Sequence, residues 1–437
     1  MSDPLAGAPV LPPLRLGIAG LGTVGAGVVR IVQTHAGLIA RRAGRAIAIS
    51  AVSARSRARD RGVDVSSYAW EDDPVALAAR PDVDVVLELI GGEDGPALAT
   101  IRTALAGRKD VVTANKALLA HHGQGLAETA EANGRALRFE AAVAGGIPVI
   151  KTLSEALAGN AITRVMGVMN GTCNYILTRM EAEGLPYEAV FDEAAKLGYL
   201  EADPTLDVGG IDAAHKLALL AALAFGTRVD FAGVEIEGIE RVGIEDIRHA
   251  ADLGYRIKLL GSAQMTGRGL EQRMAPCLVP VDSPLANLPG ATNMVVVEGD
   301  AVGRLVLRGA GAGAGPTASA VMGDVIDIAR GMRLPVFGQP ASDLVQAPAA
   351  RMAAPSPWYL RMTLVDKPGA LARVAGALGD AGVSIDRMRQ YGHADPYAPV
   401  LIVTHACSPD AIADATARFA RTGVLVGEPV AMAIADI

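Results

Sequence analysis

The chain of 437 residues carries only three cysteines, Cys173, Cys277 and Cys407, far apart and without metal-ligand spacing. That scarcity excludes a disulfide framework and fits a reducing, cytoplasmic setting. Basic residues are not in excess. Forty Lys and Arg against 47 Asp and Glu give a net charge of −7, with no basic block to neutralise phosphates, so nucleic acid is not expected as a partner. The longest apolar stretch, Leu217 to Phe225, is about half of the ~20 residues that a membrane-spanning helix needs, so no membrane partner is expected. Met1 to Pro13 lacks the basic start and apolar run of a secretion signal and reads as a loose, disordered tail. What the chain does have is core-forming capacity. Hydrophobic residues make up 51% and charged residues 20%, and at ~150 residues per domain the length suggests about three domains.

From Leu14 onwards short apolar runs alternate with helix-like stretches: Leu14–Ala19, Val24–Gln33, Ala46–Val52, Val83–Leu89, Asp110–Thr113 and Leu137–Ala142. Such alternation predicts an α/β unit, a parallel sheet covered by helices. Near Lys151 the rhythm changes to longer helical stretches, followed by a hairpin of Met294–Val297 and Arg304–Leu307. Pro348, Pro355 and Pro357 then interrupt the chain before a final segment that starts afresh with a strand.

Gly20-Leu21-Gly22-Thr23-Val24-Gly25 fits G-x-G-x-x-G, with an apolar strand before it and an amphipathic helix after it. In that context glycines allow a tight turn and close approach of backbone N–H groups to a pyrophosphate, which predicts a Rossmann-type nucleotide-binding domain. At the end of the second strand, where Asp or Glu usually meets a free ribose 2′-hydroxyl, stands Ser53-Ala54-Arg55-Ser56-Arg57. Arg55 can hold a 2′-phosphate, which favours NADP over NAD; Arg55 and Arg57 as solvated loop charges is the alternative. Gly20, Gly22, Thr23, Val24 and Gly25 are the candidate cofactor-binding residues, joined by Lys116, which follows the strand ending at Thr113, and by Gly313, from a glycine-rich segment preceding Pro316-Thr317, a candidate helix start with an early proline and a capping hydroxyl.

The run Gly198 to Lys216 crowds Glu201, Asp203 and Asp207 into a loop broken by Pro204 and Gly209-Gly210. Asp212 and Lys216 follow four residues apart on a predicted helix, on one face that continues into Leu219, Leu220 and Leu223. A charged pair at the end of a buried stripe points to chemistry; a solvated helix-surface ion pair is the alternative. His215 reads as packing or helix surface.

Gly20–Gly25, Thr113–Lys116, Glu140–Pro148, Asn170–Leu177, Gly198–Lys216 and Gly311–Val321 together resemble homoserine dehydrogenase, in its monofunctional form, over about residues 14 to 330. The resemblance implies NAD(P)-dependent interconversion of L-homoserine and L-aspartate 4-semialdehyde, a step towards threonine and methionine. It implies Lys216 as proton donor, Lys116 as a contact to cofactor and substrate, Asp212 as orienting Lys216, and Glu201 and Asp207 as substrate ligands. It further implies a monovalent cation, sodium, held at Glu140, Val143, Gly145 and Ile147, in a loop where the family often has glycine in place of Ala144. Cys173 is expected to pack, since hydride transfer needs no covalent nucleophile. Another NAD(P)-dependent amino-acid or semialdehyde dehydrogenase, and a sensor without turnover, are the alternatives.

The terminal segment reads as strand Tyr359–Leu364, turn Asp366–Gly369, helix Ala370–Asp380, strands Val383–Arg389 and Val400–Thr404, helix Pro409–Ala420 and strand Val424–Ile434. That βαββαβ order is ferredoxin-like, and Asp366-Lys367-Pro368-Gly369-Ala370-Leu371 resembles an ACT domain, which implies amino-acid binding, threonine first, or subunit assembly alone. The expected division is a tail at 1–13, a nucleotide domain at 14–150 on which 315–345 packs back, an α+β catalytic and dimerisation domain at 151–314, a linker at 346–357 and the ACT module at 358–437, in a homodimer or homotetramer.

Overall fold

The computed structural model describes residues 11–200, 203–350, 354–390 and 396–437. The first apolar runs form strands β1 (Leu14–Ala19), β2 (Ile47–Ser53), β3 (Ala69–Glu71), β4 (Val85–Glu88), β5 (Asp110–Thr113) and β6 (Leu137–Arg138), in a six-stranded sheet of order β3-β2-β1-β4-β5-β6. All neighbours run parallel. Leu16, Ile18, Val52, Val85 and Leu87 are fully buried, as expected for strands covered on both faces. The strand order reverses between β1 and β4, and the carboxyl ends of these two strands open the crevice where such sheets bind ligands.

Helix α1 (Thr23–Ala43) is longer than the predicted Val24–Gln33, continues through a kink at His35, and ends on Arg41, Arg42 and a left-handed Gly44. Late arginines complement the helix dipole and glycine takes the positive φ that closes the last turn. The predicted strand Leu137–Ala142 is cut to Leu137–Arg138, because Glu140–Ala142 turn into a short 3-10 segment. There the Glu140 N–H meets Asp324 at 2.9 Å instead of a strand partner.

The second sheet is mixed and eleven-stranded. Its main path is built from β7 (Ile162–Val168), β8 (Tyr255–Thr266), β9 (Gly269–Pro280), β10 (Thr292–Gly299), β11 (Gly303–Ala310), β12 (Trp358–Val365), β13 (Ile385–Gln390), β14 (Tyr397–Thr404) and β15 (Leu425–Ile434), in the order β11-β10-β7-β8-β9-β15-β12-β14-β13. The hairpin of β10 and β11 is as predicted, whereas the twelve-residue strands β8 and β9 fall where the sequence suggested helices. Helix α2 (Ile211–Phe225) lies against this sheet and is buried from Asp212 to Leu223, so its apolar character runs all round.

Helix α3 (Ala314–Ala329) returns to the nucleotide-binding sheet, where Ala318, Val321, Met322 and Val325 join the core of Val28, Val29 and Val32. Gly27 allows the close crossing, since a Cβ there would stand 2.6 Å from the Ala314 carbonyl oxygen. The predicted Thr317 cap is not formed: the helix begins on Gly313, and the Thr317 N–H bonds the Gly313 oxygen inside the first turn. The terminal βαββαβ unit forms in the expected order. Strand β15 pairs in parallel with β9 through Cys277 with Ala433 and Leu278 with Ile434, which fuses the terminal sheet to the central one. Buried Asp246 adds a polar tie, accepting from Tyr359 Oη at 3.1 Å and Arg361 Nη2 at 2.9 Å.

Candidate active site

Two cavities flank the glycine turn. One, of about 770 Å³, is lined by Thr23, Val24, Lys116, Gly145, Asn170, Asp207, Asp212, Lys216, Asn293 and the loop Gly311–Gly313. The other, of about 670 Å³, is lined by Gly20, Gly22, Arg55, Arg59 and Arg61. Gly20 has φ +105° and Gly25 leaves no space for a side chain, since a Cβ on Gly25 would fall 2.0 Å from the Gly20 carbonyl oxygen; above Gly22 nothing lies within 4 Å. The start of α1 therefore presents bare backbone to open space, a cradle fitted to a pyrophosphate. Ser53 is buried at the end of β2, and the acid that lines this cavity, Asp72, follows β3 and accepts from Trp70 Nε1 at 2.9 Å. Arg57 and Arg61 stand over the Trp70 ring at 5.8 and 5.5 Å, and Arg61 also bonds the Leu21 carbonyl at 3.1 Å. Arg55 lines the cavity itself, as do Arg59 and Arg61, which the sequence reading did not single out.

At the opposite lobe one carboxylate bridges two ammonium groups. Asp212 Oδ1 is 2.7 Å from Lys116 Nζ, and Asp212 Oδ2 is 2.6 Å from Lys216 Nζ. Lys116 opens a helix whose cap, Asn115, accepts from the Leu118 N–H and is itself held by Thr113 and Gly92. Lys216 is aimed a second time, donating to the Met169 carbonyl at 2.8 Å. Burial would raise the Asp212 carboxyl, but Lys216 and Lys116 outweigh it and hold the group well below its ordinary range. The carboxylate is therefore ionised at any working pH. It also stands between the two cations, bonded to both.

Asn170, at the start of the Asn170–Leu177 stretch, organises the acids. Its Oδ1 caps the following helix at the Cys173 N–H, and its Nδ2 reaches Asp207 Oδ1 at 3.1 Å and Asp212 Oδ2 at 3.5 Å. The Asn-Gly-Thr start of a helix was the available signal. Asp207 sits on a short helical turn, Thr205–Val208, and is 5% exposed beside the cavity. Glu201 lies outside the described residues. Cys173 is fully buried, its thiol bonded to the Asp207 carbonyl oxygen, and burial pushes its pKa well up, so it packs and supplies no thiolate. His215 is buried against Phe231, ring centroids 4.2 Å apart, in agreement with a packing role.

In the loop from Glu140 to Ile147, Glu140, Val143, Ala144 and Ile147 are buried, and Gly145 lines the larger cavity. The loop's carboxylate is spent elsewhere, since the Glu140 side-chain oxygens accept from the Ile150 and Lys151 N–H groups at 2.9 Å each. Any cation here would meet main-chain carbonyls. Ala144 takes a positive φ of 55°, so alanine adopts the left-handed backbone that a glycine would take more easily. Among the described residues no cluster of three His, Cys, Asp or Glu could hold a metal ion, and no helix is long and apolar enough to cross a membrane.

Comparison with known proteins covers the chain segment by segment. Residues 20–140 match the homoserine dehydrogenase NAD-binding domain, 148–326 the homoserine dehydrogenase domain and 358–423 the ACT domain. The homoserine dehydrogenase of Neisseria gonorrhoeae is 45% identical over 404 residues, 91% of this chain and 92% of the relative. A crystal structure of a homoserine dehydrogenase from Thiobacillus denitrificans superposes with a TM-score of 0.92 at 39% identity, covering 98% of this chain and 99% of the other. A hyperthermophilic archaeal homoserine dehydrogenase in complex with NADPH aligns at TM-score 0.62 and 26% identity, covering 72% of this chain and 97% of the other. Likeness that runs from the glycine turn through the lysine helix to the terminal strands, at such identity, shows that this chain belongs to the homoserine dehydrogenase family.

Proposed function

We propose that Lys116, Asp212 and Lys216 form the proton-handling centre of homoserine dehydrogenase chemistry in this chain, the NAD(P)-linked interconversion of L-homoserine and L-aspartate 4-semialdehyde. The bridging carboxylate carries this reading: one ionised acid holds two ammonium groups at 2.7 and 2.6 Å on the wall of the larger cavity. When bound, the nicotinamide cofactor supplies hydride exchange with the substrate carbon. In the reducing direction Lys216 donates a proton to the oxygen as negative charge develops on it, and in the oxidising direction it takes that proton back. Asp212 keeps the ammonium aimed, Asp207 and Glu201 hold the substrate's α-ammonium, and Lys116 bridges substrate and cofactor.

Arg55, with Arg59 and Arg61 around the same cavity, supports a preference for NADP over NAD, because guanidinium groups pair well with a phosphate on the ribose. Gly20, Gly22, Thr23, Val24, Gly25 and Gly313 complete the cofactor contacts. A monovalent cation, sodium, would be held by carbonyl oxygens at Glu140, Val143, Gly145 and Ile147, since hard cations take oxygen ligands, and would brace the loop behind the cavity. The functional units are the nucleotide domain at 14–150 with 315–345, the catalytic and dimerisation domain at 151–314, and the ACT module at 358–437, which we assign to binding an amino-acid effector, threonine, in a cytoplasmic homodimer or homotetramer.

The test is spectrophotometric: homoserine oxidation followed with each oxidised cofactor, with and without added sodium and threonine. Turnover of homoserine with NADP ahead of NAD is the expected result. Absence of turnover with either cofactor sinks the reading.

A further inference from the structure

Asn293 lies at the start of β10, is 1% exposed and lines the larger cavity. Its amide is fixed from two sides. Nδ2 donates at 3.0 Å to the Met169 carbonyl, the same oxygen that receives Lys216 Nζ at 2.8 Å. The backbone of Gly311 presses on the other side, where a Cβ would stand 2.1 Å from Nδ2 and 2.5 Å from Oδ1. With the nitrogen committed to Met169 and the group clamped by Gly311, Oδ1 cannot exchange places with Nδ2. That oxygen is buried and accepts no hydrogen bond from the protein. A buried acceptor left without a partner, on a residue that lines the cavity beside Lys216, calls for a ligand N–H.

Resting on the homoserine dehydrogenase reading above, we propose that Asn293 Oδ1 accepts a hydrogen bond from the carboxamide –NH2 of the bound nicotinamide and thereby sets the rotation of the ring. Two ligand groups at this end of the cavity carry N–H donors, the substrate ammonium and the carboxamide. The ammonium is a cation and has Asp207 on the Asn170 side. Asn293 lies against the glycine loop instead: Gly311 packs on its amide, and the Gly311 main-chain carbonyl oxygen in turn packs on Gly145, 2.4 Å from where a Cβ there would stand. On nicotinamide the carboxamide is attached next to the carbon that exchanges hydride. A ring whose reactive carbon faced an oxygen bound at Lys216 would bring its carboxamide to the same part of the cavity wall, where Asn293 stands. Aspartate would not serve at this position, since it would turn an oxygen on the Met169 carbonyl in place of the donor.

The 3-acetylpyridine analogue of NADP, which carries a methyl group in place of the –NH2, tests the contact. Dissociation constants measured by calorimetry for NADP and for the analogue, on the wild-type full chain and on Asn293→Ala, give the cycle. We expect the wild type to bind NADP about tenfold more tightly than the analogue, the effect of one hydrogen bond, and Asn293→Ala to bind both alike. Equal binding of the two by the wild type overturns the proposal without any variant having to fold. A variant that keeps the discrimination, or that raises only the KM for homoserine, overturns it as well. Wild-type turnover of homoserine in the same preparation separates failure of this contact from failure of the underlying activity.

Discussion

Lys216 donates to the Met169 carbonyl oxygen at 2.8 Å, so an ammonium carried on a buried helix is aimed by the residue that follows strand β7. Asp212, one helical turn away, completes the hold from the opposite side. Neither element alone would fix the group, because a lysine stem has four flexible carbons.

Removing the bridge should be costly. In Asp212→Asn two ammonium groups lose their shared counter-charge at a place where Lys216 is 10% exposed. Breaking one partner of such a buried pair costs about 3–5 kcal/mol, read as a lower urea midpoint at pH 7. Asp212 is held below its ordinary value of 3.8, so its contribution is complete above that value and is lost as acid protonates the folded carboxylate. The stability gap between wild type and variant should narrow as the pH falls below about 4. A gap that is absent at pH 7 contradicts the bridge.

His215 gives a second pH signature. Burial lowers its pKa from 6.5 to about 4, against the pull of Asp212. Between those values the unfolded chain binds a proton that the folded one refuses, so stability falls as pH drops from 6.5 towards 4. His215→Phe, which keeps an aromatic ring against Phe231, should lack this part of the slope. Parallel urea midpoints for the two proteins between pH 7 and pH 4.5 would count against it.

Gly25→Ala places a methyl 2.0 Å from the Gly20 carbonyl, which must distort the turn. Overpacking of this kind costs about 1–3 kcal/mol, and the cofactor affinity measured by calorimetry should fall by at least tenfold while the terminal βαββαβ unit keeps its circular dichroism. Unchanged affinity would separate the glycine turn from cofactor binding.

Much of this was readable from residues because the relevant signals are local. Gly20–Gly25 has its strand and helix on either side, and the spacing of Asp212 and Lys216 puts both on one helix face whatever surrounds it. The terminal unit was legible for the same reason, its turns being marked by Asp366–Gly369 and Gly382. Strands β8 and β9 were not, although they form a local hairpin across Gly267-Arg268: β9 is buried along nearly its whole length and so lacks the polar-apolar alternation that marks a strand, and the pairing of β8 with β7 joins distant segments. Asn293 was invisible too. Its significance comes from Met169 and Gly311, residues brought against it only by the fold. Thr317 misled because a hydroxyl near a proline is a common helix start, yet the close crossing at Gly27 favours a helix beginning on Gly313.

Cofactor choice gives a fourth prediction. Arg55→Ala should weaken NADP binding by about tenfold, the loss of a charge-assisted contact to phosphate, and leave NAD binding unchanged. Equal loss for both cofactors would assign Arg55 to the shape of the loop and not to the 2′-phosphate.

Catalysis depends on the Lys216 ammonium moving the proton at the reacting oxygen. Lys216→Met, which keeps an unbranched side chain of similar bulk without the ammonium, is to be measured in single-turnover reduction of L-aspartate 4-semialdehyde, with the affinities for cofactor and substrate determined alongside. The rate should fall by about 10²–10⁴-fold with cofactor affinity preserved. A Lys216→Met enzyme that turns over at the wild-type rate would contradict it.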